Sequence, residues 1–381
     1  MIFRLLEDQY AEKTKQSQAA DRRFMELALA LGRRTLGQTW PNPAVGAIVV
    51  KDGVIVGRGW TAPGGRPHGE PQALARAGAS ARGATAYVTL EPCSHHGKTP
   101  PCADALIAAG VARVVSAIED PNPEVAGQGH ARLRAAGIVV DVGLCADDAR
   151  YAHAGHIRRV TSGRPHVTLK LAVSADGKIG ATGHKPVAIT GEASRARVHL
   201  QRAHNDAILI GVGTALSDDP ELTCRLPGMA KLSPVRVVLD RHLGLPASSK
   251  LARSARATPL WLFAERSGEP SEAALLRASG AEIIPVAAGE RGLDLSAVLK
   301  ELATRGITRV MVEGGARVAA SFVDADLVDE IWLYSSKTVI GPDGVPALNG
   351  IPLTSLTQSP RFRQRASEDF GEDHLAVYER A

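Results

Sequence analysis

The chain is poor in the residues that build disulfide scaffolds, membrane spans and base-stacking surfaces. Its 381 residues include four cysteines. Cys145 and Cys224 stand in different regions, away from each other and from the close pair Cys93 and Cys102, which is no disulfide framework. No apolar run approaches the roughly 20 residues that cross a bilayer. The segment from Met1 to Ser17 carries Glu7, Asp8 and Glu12 and has no apolar core of signal-peptide length, so a cytoplasmic protein is expected. Aromatic residues make up only 4%, and the formal net charge of +5 is spread without a basic run. That combination argues against a nucleic-acid surface, which needs stacking platforms, and suits an anionic small molecule as well. No G-x-G-x-x-G with a distal acid is present, which excludes an ordinary dinucleotide-binding fingerprint. No internal repeat at a solenoid period and no low-complexity tract is found.

What is present is concentrated between His68 and Cys102. The chain reads His68-Gly69-Glu70 and then, after about one helix and one strand, Glu91-Pro92-Cys93 and a loop to Pro101-Cys102. Catalytic zinc takes three protein ligands and leaves a position for water; His68, Cys93 and Cys102 supply three. Glu70, two residues beyond His68 on an opening helix, can stand beside that water and move protons without ligating. This is the grammar of zinc-dependent base deaminases, in which activated water attacks an amino-bearing ring carbon. Pro92 and Pro100-Pro101 fit tight entries into helix N-termini, where a thiolate is favoured. The plainer reading is a structural zinc with His95 or His96 as a fourth ligand, which leaves Glu70 without a role.

Hydrophobic residues are 44% of the chain, and its length suits two domains. Residues 1–20 read as a polar extension, 21–150 as a first domain, 151–165 as a polar, basic linker and 166–381 as a second domain. Asp21 is placed as the N-cap of a helix carrying Phe24, Met25, Leu27, Ala28 and Leu31. Two strands, Val45 to Val50 and Val54 to Gly57, flank Lys51-Asp52-Gly53 as a hairpin. Helical patterns from Glu70, at 103–109 and at 130–136 alternate with strands at 86–90, 112–117 and 138–142, which predicts a sheet covered by helices. A second alternation, with strands at 166–172, 207–211, 235–239, 260–264, 309–312 and 330–334, predicts a second α/β domain.

The loop Cys93-Ser94-His95-His96-Gly97-Lys98-Thr99-Pro100-Pro101-Cys102 resembles that of the riboflavin-pathway deaminases rather than the C-x-x-C of cytidine and tRNA-adenosine deaminases. Pro41-Asn42-Pro43-Ala44-Val45-Gly46 is similar to that family's substrate segment. The resemblance implies a cytidine-deaminase-like three-layer domain, one Zn²⁺ per chain and Glu70 as the catalytic residue. It also implies that Asn42, His95, Lys98 and Thr99 hold a pyrimidine and its ribose phosphate. The chain departs from the family at Gly69, Pro71 and Gln72, where HAEVHA is usual, and at Thr61, where a histidine is common.

Three further motifs follow strands: Lys170 to Lys178, Gly211-Val212-Gly213-Thr214 through Asp218 to Arg225, and Val312-Glu313-Gly314-Gly315-Ala316. Bare backbone amides at such turns can approach phosphates. In this order the motifs resemble the reductase half of the bifunctional riboflavin biosynthesis enzymes, and the resemblance covers nearly the whole chain from about Asp21. It implies a dihydrofolate-reductase-like domain that uses NADPH to reduce the ribosyl side chain of the deaminated product to ribityl. Carried over by position, Ala172, Ala188, Thr214, Asp218 and the turn from Gly315, Ala316 and Arg317 to Ser321 would line NADPH. Lys170, Pro186, Arg202, Leu222, Arg225 and Glu313 would hold the substrate, the two arginines suiting its phosphate. Pro186-Val187-Ala188 stands where the family often has Ser-x-Trp, so a hydroxyl and an indole are missing. Arg241, just after a strand, is a candidate for the cofactor's 2′-phosphate. The implied protein is a homo-oligomeric enzyme with a small-molecule substrate and no nucleic-acid or membrane partner. Two rivals stay open: a nucleic-acid or nucleoside base deaminase with an unrelated second domain, and a non-catalytic zinc-stabilised nucleotide sensor.

Overall fold

The structure is a computed structural model that describes residues 2–95, 100–181, 187–265, 271–289 and 292–381, with side chains from residue 18 onward apart from Ser271. The chain forms two compact units, Met1–Ser162 and Gly163–Ala381. In the first, β1 (Gly46–Lys51) and β2 (Val54–Trp60) are joined by a turn in which Asp52 and Gly53 have φ of 49° and 76°. Two left-handed residues in a row make the turn that matches the twist of a hairpin. The strands β3 (Thr85–Val88), β4 (Arg113–Ser116) and β5 (Val139–Val142) complete a sheet in the order β2-β1-β3-β4-β5, with β3, β4 and β5 parallel.

Helices α1 (Ile2–Arg33), α2 (Gly69–Ala77), α3 (Cys102–Ala109), α4 (Gln128–Ala135), α5 (Ala146–Ala152) and α6 (Ala154–Ser162) cover this sheet. Successive side chains on a strand point to opposite faces. Ala86 and Val114 accordingly pack with Ala103, Leu106 and Leu133 of α3 and α4, whereas Tyr87 and Val115 pack with Met25, Ala28 and Ala149 of α1 and α5. The sheet is the middle of three layers. Glycine lets α2 lie close on β2: a Cβ on Gly57 would stand 2.1 Å from the Ala73 carbonyl oxygen, and one on Gly59 2.0 Å from that of Gly69.

Two expected boundaries in this unit give way. α1 runs unbroken from Ile2, so residues 2–20 are no separate extension, and Asp21 lies inside the helix rather than capping it. Asp21 accepts hydrogen bonds from the Tyr87 hydroxyl at 2.5 Å and from the Arg113 guanidinium at 2.8 and 3.1 Å. Burial alone would raise its pKa, but these two partners hold it below the usual carboxylate value. The expected linker 151–165 is mostly helical, in α5 and α6. Two of its polar side chains turn inward: His153 Nε2 lies 3.0 Å from Thr89 Oγ1 and His156 Nε2 2.9 Å from Asp120 Oδ1.

Glu91, just after β3, is 4% exposed and accepts from four backbone amides, those of Asp120 and Gly127 at 3.1 and 3.0 Å and of Gly129 and His130 at 2.8 and 3.2 Å. One buried carboxylate thereby ties the loop before α4, and the start of that helix, to the segment that continues into Pro92 and Cys93. A favourable helix N-terminus and saturated acceptors make the buried charge tolerable.

The second unit contains a nine-stranded sheet formed by β6 (His166–Val173), β8 (Ala207–Gly211), β9 (Val235–Leu239), β10 (Leu260–Ala264), β11 (Glu282–Pro285), β14 (Arg309–Val312), β15 (Glu330–Ser335), β17 (Phe362–Phe370) and β18 (Asp373–Arg380). Short pairs β7 (Lys178–Gly180) with β16 (Val345–Pro346) and β12 (Ala288–Gly289) with β13 (Gly292–Leu293) stand apart from it. The order is β11-β10-β9-β8-β14-β6-β15-β18-β17; strands from β11 to β15 are parallel and the last pair is an antiparallel hairpin. Sequence periodicity missed β11 and the hairpin. β17 is exposed along most of its length, with the run Arg363-Gln364-Arg365 and Glu368-Asp369, so it carries no apolar signal.

Helices of this unit are α7 (Glu192–Ala203), α8 (Val212–Asp218), α9 (Lys250–Arg253), α10 (Ser271–Ser279), α11 (Leu295–Thr304), α12 (Ala316–Asp324) and α13 (Thr354–Thr357). β14 inserts between β6 and β8, so the carboxyl ends of three strands distant in sequence lie side by side; such a switch in strand order is where open α/β sheets bind ligands. Asp373 of the C-terminal hairpin accepts from the Gly191 amide at 2.7 Å and the Ser194 hydroxyl at 2.6 Å, capping α7 from another element.

Replacing Asp21 with Asn should destabilise the first unit by about 1–3 kcal/mol at neutral pH. Because the folded carboxyl pKa is depressed, its contribution is present above about pH 4 and is lost as pH falls below that. Denaturant unfolding of both proteins should therefore show a gap that closes in acid. Glu91→Ala, by leaving buried amides without an acceptor, should cost about 2–4 kcal/mol and lower the zinc content of the purified protein, measured by atomic absorption.

Candidate functional site

In the first unit the backbone brings two helix N-termini together. His68 precedes α2 as its cap residue, Glu70 stands in that helix's first turn, and Cys102 opens α3. Cys93 reaches them from the segment after β3, and the Cys102 amide donates to Cys93 Sγ at 3.3 Å. His68 Nδ1 lies 3.3 Å from Cys102 Sγ and 3.8 Å from Cys93 Sγ. One ligand atom from each of the three residues fits within a 4.8 Å cluster. His68 Nε2 and Glu70 Oε2 are buried with no hydrogen-bond partner among the described residues.

The electrostatics of this cluster call for a cation. The hydrogen bond from Cys102 and the neighbouring His68 pull the Cys93 thiol down to about 4. The same Cys93 contact, with burial, pushes the Cys102 thiol up. The hydrogen bond to Cys93 raises the His68 imidazole, and burial raises the Glu70 carboxyl. Left to themselves, two sulfurs this close share one proton; a divalent metal between them would let both ionise. Nitrogen and two sulfurs are a zinc donor set, and the orphaned carboxylate oxygen beside them is not needed as a ligand.

Around the cluster, the residues that depart from the family pattern have structural partners. The Thr61 hydroxyl accepts from the Val45 amide at 3.0 Å, and the Gln72 side-chain amide donates to the carbonyls of Trp60, Pro67 and His68. Asn42 is half-buried and donates to the Gly65 carbonyl at 3.2 Å. His95 is exposed beyond Cys93. Lys98 and Thr99, like Pro186 in the second unit, lie outside the described residues. Glu91, Glu119 and His130 form a second cluster of potential ligand atoms. Glu91 there is saturated by backbone amides, so the sequence reading missed a positioning residue, signalled only by its place before Pro92-Cys93.

In the second unit a cavity of about 1550 Å³ opens at the carboxyl ends of β6, β8 and β14. Lys170, Arg202, Leu222, Arg225 and Glu313 line it, together with Ala172, Ala188, Thr214 and Asp218 and the turn Gly315, Ala316 and Arg317. Arg202 is bidentate to Glu313, with both contacts at 2.8 Å, and donates a third bond to the Thr223 carbonyl at 3.2 Å. Burial by itself would raise the Glu313 pKa, but Arg202 and Lys170 hold it at about 2. Burial lowers the pKa of Lys170, against the pull of Glu313. Thr214 Oγ1 accepts from the Gly315 amide at 3.1 Å, which joins two of the glycine motifs. A Cβ on Gly314 would stand 2.7 Å from Val318, so α12 packs hard against the strand ends. Arg241 also lines the cavity and pairs with Glu265 at 2.5 Å. His199, absent from the sequence reading, lines it too; burial and then Arg202 and Arg225 lower its pKa.

Two family models divide the chain. The cytidine and deoxycytidylate deaminase zinc-binding region matches residues 18–118, and the RibD C-terminal domain matches residues 165–376. The riboflavin biosynthesis protein RibD of Aquifex aeolicus is 39% identical over 360 residues, covering 94% of this chain and 98% of that protein. The Escherichia coli protein of the same name is 39% identical over 366 residues, covering 93% and 97%. Among solved structures, Acinetobacter baumannii RibD superposes with a TM-score of 0.84 at 34% identity, covering 96% of this chain and 99% of that one. The diaminohydroxyphosphoribosylaminopyrimidine deaminase/5-amino-6-(5-phosphoribosylamino)uracil reductase of Thermotoga maritima has a TM-score of 0.83 at 34% identity, covering 96% and 100%. The chain therefore belongs to the RibD family of bifunctional riboflavin biosynthesis proteins, with a zinc-binding deaminase region and a reductase domain in one polypeptide.

Proposed function

We propose that the first unit hydrolytically deaminates 2,5-diamino-6-(5-phosphoribosylamino)pyrimidin-4-one, and that the second reduces the ribosyl side chain of the product to ribityl with NADPH. The observation that carries the first step is the set His68, Cys93 and Cys102 beside a buried, partnerless Glu70 oxygen. Zinc held by these three residues would supply Lewis acidity for the activation of water. Glu70 takes the first water proton at Oε2 and passes it to a ring nitrogen; it then takes the remaining hydroxyl proton of the adduct and gives it to the departing amine. Water adds, ammonia leaves and the carboxylate returns to its starting state. Asn42, His95, Lys98 and Thr99 are assigned to the pyrimidine and its ribose phosphate.

In the second step bound NADPH would supply the hydride, and the chain supplies the sugar's surroundings. Lys170, whose hold on its proton is weakened by burial, protonates the sugar oxygen as the ring opens. The Arg202–Glu313 pair holds hydroxyls beside it. The amides at the start of α12 and the small side chains Ala172 and Ala188 suit the cofactor's pyrophosphate and nicotinamide. Support for the order of steps comes from the name of the Thermotoga maritima relative, which joins the same two activities. The family resemblance extends the proposal to a homo-oligomer working in the cytoplasm.

The purified protein should release ammonia from the diaminopyrimidine and then oxidise added NADPH; ammonia without oxidation would remove the second half of the proposal. Glu70→Gln should retain zinc while ammonia release falls at least about 100-fold; a near wild-type rate would sink the assignment of Glu70. Arg241→Ala should weaken NADPH binding about 10-fold while leaving NADH nearly unaffected. Equal NADPH affinity in a titration of the two proteins refutes the contact with the 2′-phosphate.

A further inference from the structure

A helix leaves its first backbone amides without partners inside the helix, and a side chain at the cap position ordinarily satisfies them. The cap residue of α7 is Gly191, which has no side chain to offer. The missing acceptor comes from 182 residues further along the chain. Asp373 Oδ2 accepts from the Gly191 amide at 2.7 Å and from the Ser194 hydroxyl at 2.6 Å, so one oxygen serves both donors. Asp373 is 5% exposed and Ser194 is fully buried, and water competes little for that oxygen.

Asp373 opens β18 directly after the hairpin turn at Gly371 and Glu372. Side chains two apart on a strand share a face, and Leu375 and Val377 of this strand pack with Val198 of α7. The C-terminal hairpin thus holds α7 twice, by an apolar contact at its middle and by one carboxylate oxygen at its start. That start is a wall of the reductase cavity. Thr190 and Arg195, on either side of the Asp373 contacts, both line it, and Arg195 Nη1 donates to the Thr190 carbonyl at 2.5 Å. Arg202, farther along the helix, is fixed separately by Glu313 and the Thr223 carbonyl. Ala172, Thr214, Ala316 and Arg317, assigned to the cofactor, stand on β6, α8 and α12. Loss of the Asp373 oxygen therefore loosens the first turn of α7 and leaves the polar corner and most of the cofactor wall in place.

We infer that Asp373 is a positioning residue of the reductase: by capping α7 from the C-terminal hairpin it fixes the turn from Thr190 to Arg195 and thereby sets KM for the ribosylaminouracil. The inference rests on the proposed reductase activity. Asp373 is not among the residues that line the cavity and acts only through the helix.

The test is NADPH oxidation by the full chain with 5-amino-6-(5-phosphoribosylamino)uracil, together with a fluorescence titration of NADPH binding by the same samples. Asp373→Ala should raise KM for the uracil about 10-fold, with kcat changed less than about 3-fold and the NADPH dissociation constant less than about 2-fold. Asp373→Asn, whose amide oxygen can take both bonds, should keep KM near the wild-type value. Ser194→Ala, which removes one donor and leaves the hairpin untouched, should raise KM about 3-fold. An unchanged KM in Asp373→Ala, a kcat or an NADPH affinity that falls as far as KM rises, or an Asp373→Asn variant no better than Asp373→Ala overturns the inference. Where Asp373→Ala fails to bind NADPH at all, Ser194→Ala decides: a raised KM at unaltered NADPH affinity supports the inference and an unchanged KM overturns it. Wild-type protein that oxidises no NADPH would overturn the reductase reading and this inference together, whereas unaffected variants of an active enzyme would overturn this inference alone.

Discussion

Four ionisable groups in the first unit, His68, Glu70, Cys93 and Cys102, are packed so closely that their charges must be shared or balanced by a metal. Much of the surrounding unit holds them in that state. The close approach of α2 to β2, possible because Gly57 and Gly59 lack side chains, presents His68 and Glu70 from one helix N-terminus. Glu91 gathers four amides around the segment that leads to Cys93, and α3 begins at Cys102 itself. Positive helix ends favour thiolates, which is the ionisation that zinc ligands need.

The second unit solves a related problem by pairing. Glu313 and Lys170 are both part-buried, and a charge drawn out of water is tolerated only with a partner and hydrogen bonds. Arg202 supplies two bonds to Glu313 and a third to the loop at Thr223. The corner thus links α7, β14 and the loop at Thr223. Its existence depends on strand order, because β14 enters the sheet between β6 and β8 after more than half of the unit has been threaded. The hairpin β17–β18 contributes at a distance, through the cap that Asp373 places on α7.

The cluster of His68, Cys93, Cys102 and Glu70 was legible because its chemistry depends on residue type at short spacing: an imidazole two residues from a carboxylate, and thiols introduced by prolines. Most strands and helices were legible from apolar periodicity, since the sheet of each unit buries alternating or continuous hydrophobic residues. Departures from the family pattern acquired meanings only in three dimensions. Thr61 and Gln72 bond the backbone around the segment that leads to His68, so the changed residues hold that segment in place.

The sequence by itself determined the candidate metal-binding set, the two α/β halves and the three glycine-bearing motifs, because each is written in neighbouring residues. It misplaced the ends of the first unit, because Asp21, His153 and His156 look like solvent-facing residues until Arg113, Thr89 and Asp120 are brought to them. It could not distinguish Arg195, Arg202 and Arg225, which are chemically identical in a string of letters. Only the tertiary structure decided that Arg202 is locked to Glu313 while Arg195 and Arg225 are exposed, since the difference lies in what each guanidinium meets.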